Sequence, residues 1–303
     1  MISYFDAHCD TISRCWETGE SLRKNGGHID LQRAKCFARY AQFFALYADA
    51  AETPDLWGRC NELHDVFLRE MSQNADCVRQ CRTGTEVDAA TAAGKCAAIL
   101  SIEGADLLDC QIDRIKTAAD WGVRFLNPVW NRANILSGTN IEDSSRGLSP
   151  YGREFIREME ANRIYADVSH ISDSGFWDIL RMTRRPVVAS HSNSRTLCDH
   201  PRNLTDDMFR AIRETGGVVG INLYRNFIGD DQMETLLRHI EHFLNLGGEK
   251  TVCIGADLDG CDTLAGGLCG VQDISEIYVA LCARGYNKTL LDDIFWNNLR
   301  RLL

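Results

Sequence analysis

The chain of 303 residues has no apolar run approaching the ~18 residues that a membrane-spanning helix needs. Its opening, MISYFDAHCD, lacks the basic patch and apolar stretch of a secretory leader. Positive charge is in the minority: 33 Lys and Arg against 43 Asp and Glu give a net charge of −10. A field of that sign repels phosphate backbones and anionic lipid, which argues against nucleic acid and membrane as partners. Neither G-x-G-x-x-G nor G-x-x-x-x-G-K-[ST] occurs, so the common glycine loops for nucleotide phosphates are missing. No repeat, low-complexity tract or linker divides the chain, and residues 1–303 read as one domain. The 13 cysteines are odd in number and scattered, unlike a secreted disulfide framework. Cys77 and Cys81 have no second pair to complete a metal clip, while Cys36, Cys96 and Cys253 sit inside apolar runs as small hydrophobes. A reducing, cytoplasmic location is expected.

What is present is a regular alternation. Apolar runs of strand length recur at 2–7, 40–48, 96–103, 123–129, 164–169, 186–191, 217–224 and 251–257. Their density is that of strands buried on both faces. Helical patterns lie between them at 55–81, 111–121, 149–162, 173–183, 205–215, 232–246, 272–284 and 289–302. Ser149-Pro150 and Thr205-Asp206-Asp207 are helix-start signals. Residues 14–33 and 136–147 read as long polar loops. Eight strand–helix units predict a parallel (β/α)8 TIM-type barrel, with an open doubly wound sheet as the competing fold.

In a barrel of this kind the active site forms at the C-terminal ends of the strands. Those ends carry His8 and Asp10, Glu103, His170, His191, Asn222 with Tyr224, and Asp257. Taken singly each has an ordinary explanation: a polar strand end, a helix-start carboxylate, a capping histidine, a turn aspartate. Three imidazoles, two aspartates and a glutamate on one rim suit two divalent cations such as Zn²⁺, and Co²⁺ or Mn²⁺ as well. Alternation along the first strand would turn His8 and Asp10 inward together and Cys9 away. His239 and His242, with Glu241 between them, predict a solvated helix face. His28, His64 and His200 have no comparable partners.

With these residues in place, the chain resembles the membrane (renal) dipeptidase family of metal-dependent amidohydrolases. The resemblance rests on FDAHCDT, SIEG, GLSPYG, DVSHIS, ASHSNSR, HPRNLTDD and IGADLDG, in the family's order over nearly the whole chain. It implies a barrel with two zinc ions: His8 and Asp10 on one, His170 and His191 on the other, and Glu103 bridging. It makes Asp257 the proton-transfer residue and Arg202 the clamp for the substrate's free carboxylate. The implied reaction is hydrolysis of a dipeptide's amide bond by a metal-bridging hydroxide, with a D-residue tolerated at the C-terminal position. A homodimer is also implied.

One departure stands out. Where many dipeptidases of the family carry a histidine that polarises the scissile carbonyl, this chain has Trp130, in NPVWNRAN. An indole donates one hydrogen bond and takes no metal. Asn131 and Asn134 are the candidates to replace the donor, and Trp130, Asn131, Asn222 and Tyr224 are expected to wall the substrate pocket. The departure keeps open a hydrolase for N-acyl amino acids or lactams, and a non-catalytic metal-binding protein is the reading from another class.

Overall fold

The computed structural model describes residues 1–303. Its strands are β1 (Ser3–Asp6), β2 (Arg39–Tyr47), β3 (Val78–Gln80), β4 (Cys96–Glu103), β5 (Val123–Asn127), β6 (Tyr165–Ala166), β7 (Val188–Ala189), β8 (Val218–Ile221) and β9 (Val252–Ile254). All pair in parallel, in the spatial order β6-β5-β4-β2-β1-β9-β8-β7. The two ends of that path meet through a bridge between Asp167 and Val188, where Val168 N–H donates to the Val188 carbonyl at 2.8 Å. Eight strands thus form the nearly closed (β/α)8 barrel that the alternation predicts. The ninth, β3, pairs only with Cys96–Ala98, below the part of the β4 edge that β5 takes up from Leu100.

The apolar runs are dense because both faces of each strand are covered. One set of side chains fills the barrel: Phe43 stacks on Phe5 at 5.7 Å and on Phe125 at 4.0 Å, and Trp296 packs on Phe5 at 5.6 Å. The alternate set, including Tyr4, Phe44 and Leu46, packs into a larger core with the surrounding helices. Helices start where their caps say they should. Ser149 accepts from Gly152 N–H with Pro150 next to it, and Thr205 accepts from Met208 N–H.

Four local readings change. The helix expected over 55–81 is Leu56–Gln73; the Asn74 amide turns back on the Glu70 carbonyl at 2.9 Å, and the chain leaves as β3. Apolar periodicity had run straight through a turn. Cys77 and Cys81 therefore flank a strand and do not share a helix face. The segment 14–33, read as loop, begins inside helix Thr11–Thr18, which Gly19 ends in the left-handed region at φ 71°. The pattern at 289–302 breaks into Lys288–Asp292, a π turn at Asp293–Asn297 and Asn298–Arg300. His239 is fully buried, not solvated: its Nδ1 accepts from Ser194 N–H at 3.1 Å and its Nε2 faces the Ile228 carbonyl at 3.0 Å. A helical wheel cannot show that the loop after β7 folds over that face. No helix is long and apolar enough to cross a membrane.

Candidate metal centre

The barrel brings the polar strand ends together. Strand alternation puts Phe5 and Ala7 in the barrel filling, then breaks; Cys9 packs outward and bridges Leu258, while His8 and Asp10 meet Glu103 and Asp257 at the mouth. His170 and Asp257 reach the same place from left-handed backbone, at φ 79° and 59°. Such conformations cost ~1–3 kcal/mol each in non-glycine residues and persist only where the surroundings enforce them. Gly260 is one of those surroundings. A Cβ there would collide with Asp10 Oδ2 and Asp257 Oδ1, so only glycine lets the two carboxylates approach.

Glu103, the last residue of β4, is the hub. Its Oε1 lies 2.8 Å from His170 Nε2 and 3.4 Å from His191 Nε2, and its Oε2 lies 3.5 Å from His8 Nε2. His8 Nε2 is also 3.3 Å from Asp10 Oδ2 and 3.9 Å from Asp257 Oδ1. The Nε2 atoms of His170 and His191 are 2.9 Å apart. Two groupings of three donor atoms result: His8, Glu103 and His191, and His8, Asp10 and Asp257.

The donor set fits a cation. His170 Nδ1 faces the Asn131 Oδ1 acceptor at 2.9 Å, so Nδ1 carries the proton and Nε2 presents a lone pair to a carboxylate and a second imidazole. His8 Nε2 and Asp10 Oδ1 are buried and have no hydrogen-bond partner. Burial, with Arg202 adding to it, lowers the His170 pKa to about 4. Burial also holds His191 well below its ordinary value, reinforced by His8. Both rings are therefore neutral, the ligating form. At His8 burial acts the same way but is outweighed by Glu103 and Asp10, which hold its pKa well up. Burial and then Glu103 push the Asp10 carboxyl up to about 7, while Glu103, although buried, is held well below its usual range by His8, His170 and His191.

A cavity of about 290 Å³ opens over this cluster. Of the pocket residues expected from the sequence, Trp130, Asn131, Arg202 and Tyr224 line it. Asn222 does not: it is fully buried, donates to Asp257 Oδ2 at 2.9 Å and accepts from Tyr224 N–H at 2.6 Å, so it stands behind Asp257. Asn134 is spent on Asp106, Pro128 and Leu136, and Asn131 spends its carbonyl on His170. Arg202 is 3 % exposed; its Nη2 meets His170 Nε2 at 2.9 Å, and its Nε and Nη1 have no partner. Asp259 is a brace, accepting from Thr11 Oγ1 and His28 N–H at 2.6 Å each. Tyr47, Ile141 and Phe227 also line the cavity and were missed. Tyr47 was findable, because it ends β2 as the others end their strands.

The sequence profile of the membrane dipeptidase family, peptidase family M19, matches residues 1–303. The chain belongs to this family. Like other membrane dipeptidases it is a metal-dependent dipeptidase by family and fold. An uncharacterised protein of Klebsiella pneumoniae, from the pqqA 5′ region, is 35% identical over 251 residues, covering 78% of this chain and 92% of that one. An uncharacterised dipeptidase of Schizosaccharomyces pombe is 30% identical over 279 residues, covering 84% of this chain and 65% of that one. Among solved structures, the metallopeptidase dipeptidase AC superposes with a TM-score of 0.92 at 28% identity, covering 99% and 97% of the two chains. A Rhodobacter sphaeroides metallopeptidase, liganded with a phosphinate mimic of the dipeptide L-Ala-D-Ala, gives 0.88 at 29% identity, covering 99% and 98%.

Proposed function

We propose that the chain hydrolyses the amide bond of dipeptides using two divalent cations, zinc in the first instance. His8 and Asp10 hold one, His170 and His191 the other, and Glu103 lies between them. The observation that carries this reading is the reach of Glu103, one carboxylate oxygen toward His8 and the other toward His170 and His191. Cations held there would acidify a water and polarise the scissile carbonyl. Asp257, fixed by Asn222 and raised in pKa by burial, is the group that accepts the nucleophile's proton and passes it to the departing amine. Arg202, with two buried donors unpaired, holds the substrate's terminal carboxylate, which sets the register and favours short substrates. Tyr224, Trp130 and Asn131 face the rest of the substrate. The Rhodobacter relative's ligand supports acceptance of a D-residue at the C-terminal position. The acidic charge and unpaired thiols support action in the cytoplasm as one domain, and the family resemblance a homodimer.

Trp130 favours a second reading. With no imidazole at that place, N-acyl amino acids become competing substrates. A panel of L,L- and L,D-dipeptides beside N-acyl amino acids, run on metal-replete protein with metal analysis, separates the two. Preferred turnover of dipeptides at two metal equivalents per chain is expected; exclusive turnover of N-acyl amino acids would overturn the dipeptide reading, and metal without any turnover would favour a binding protein.

A further inference from the structure

Two buried carboxylates outside the proposed ligand set make the same construction at two places. Asp6, the last residue of β1, is fully buried; its Oδ1 accepts from His8 N–H at 2.9 Å and from Ala256 N–H at 3.1 Å. Asp167, just after β6, is 1 % exposed; its Oδ1 accepts from Ser169 N–H at 3.1 Å and from Ser190 N–H at 3.0 Å. Each takes the amide two residues further along its own segment and one amide just past the end of the neighbouring strand. The amides taken belong to His8 itself and to the residues immediately before Asp257, His170 and His191.

The seams where this happens are the thinnest in the barrel. β1 and β9 share a single registered pair, Asp6 with Ile254, and β6 and β7 are joined by a single backbone bridge, Asp167 with Val188. At both seams the pairing residue is the aspartate. Each carboxylate thus supplies a cross-strand bond where the regular ladder breaks off, on the β1 side before pairing resumes at Cys9 and Leu258, and charge-assisted bonds of this kind are roughly twice as strong as neutral ones. The same contact explains the broken alternation of β1. By holding the amide two residues on, Asp6 makes an Asx-type turn that lets Ala7 point into the barrel and His8 follow it into the mouth.

We propose that Asp6 and Asp167 are paired positioning residues, each aiming one half of the metal centre: Asp6 the half built on His8 and Asp10, Asp167 the half built on His170 and His191. This rests on the two-cation reading above. Loss of a group that orients metal ligands costs typically ~10–100-fold in metal affinity.

The test measures Zn²⁺ stoichiometry and affinity, and the Co²⁺ absorption spectrum, in full-length protein carrying Asp6→Ala, Asp167→Ala or the corresponding Asn substitutions. Each alanine variant is expected to keep one equivalent at wild-type affinity and to bind the other 10–100-fold more weakly. The asparagine variants, whose carbonyl oxygen reaches both amides, should restore it. Where an alanine variant fails to fold, serine, whose hydroxyl reaches only one amide, takes its place with the same expectation. Two equivalents bound as in wild type, or equal weakening of both together with a lower Tm of the metal-free protein, overturns the assignment. A wild-type chain that binds fewer than two equivalents overturns the two-cation reading instead.

Discussion

At the scale of single residues, the proposed centre sets protons against metal. In metal-free protein the Asp10 carboxyl is raised to about 7 and the His8 imidazole is held well above its ordinary value. As the proposed ligands, both groups would have to lose their protons on binding metal. Raised pKa values mean that protons are bound more tightly in the folded, metal-free state, so metal affinity must rise with pH through about 7 and protons must be released on binding. Calorimetric titration with Zn²⁺ at pH 6 and pH 8, in buffers of different ionisation enthalpy, should show tighter binding at pH 8 and proton release at pH 6. A flat profile would remove His8 and Asp10 from the ligand set. Asp257→Asn should keep both metal equivalents and lower kcat by ~10²–10⁴-fold, the range typical of general acid–base groups; near-normal kcat would take Asp257 out of the reaction. That His8, Asp10, Glu103, His170, His191 and Asp257 come together was legible because polar groups ending apolar runs are conspicuous. Asn222 and His239 were misplaced because their partners, Asp257 and the Ser194 amide, come from distant segments.

At the scale of elements, strand positions were legible from apolar density and helix starts from Ser149 and Thr205. What stayed hidden was the helix Gly84–Ala92 and, before it, β3, three residues long and paired only to the base of β4. Its apolar content continues the preceding helical pattern, and only the Asn74 turn separates the two. The inward set of side chains determines whether the barrel keeps its shape. Phe43 is fully buried, between Phe5 and Phe125. Phe43→Ala should cost ~3–5 kcal/mol, the usual range for truncating a buried aromatic. The check is the unfolding free energy of the metal-free protein from denaturant titration: a loss below about 1 kcal/mol would mean that this packing does not hold the strands in place.

At the scale of the whole molecule, strand order decides which cavity walls face each other. In the ring of eight barrel strands β2 stands four places from β7 in either direction, so their ends face each other across the mouth. Arg202 follows β7 and Tyr47 ends β2, with the Glu103 hub between them and Trp130 packed on Tyr47 at 4.8 Å. On the proposed reading, a dipeptide whose carboxylate meets Arg202 is expected to send its amino-terminal side chain toward Tyr47 and Trp130. Arg202→Ala should raise KM ~10–100-fold for dipeptides with a free carboxylate, the worth of one or two hydrogen bonds to a charged group. It should leave C-terminally amidated dipeptides nearly unchanged. Tyr47→Ala should alter the ranking of substrates that differ in the amino-terminal side chain and leave the ranking by carboxyl-terminal residue intact. A kcat/KM matrix over both positions reads the two variants together. If Arg202→Ala weakened amidated and free dipeptides alike, or if Tyr47→Ala reordered the carboxyl-terminal residues instead, the substrate would lie some other way across the barrel.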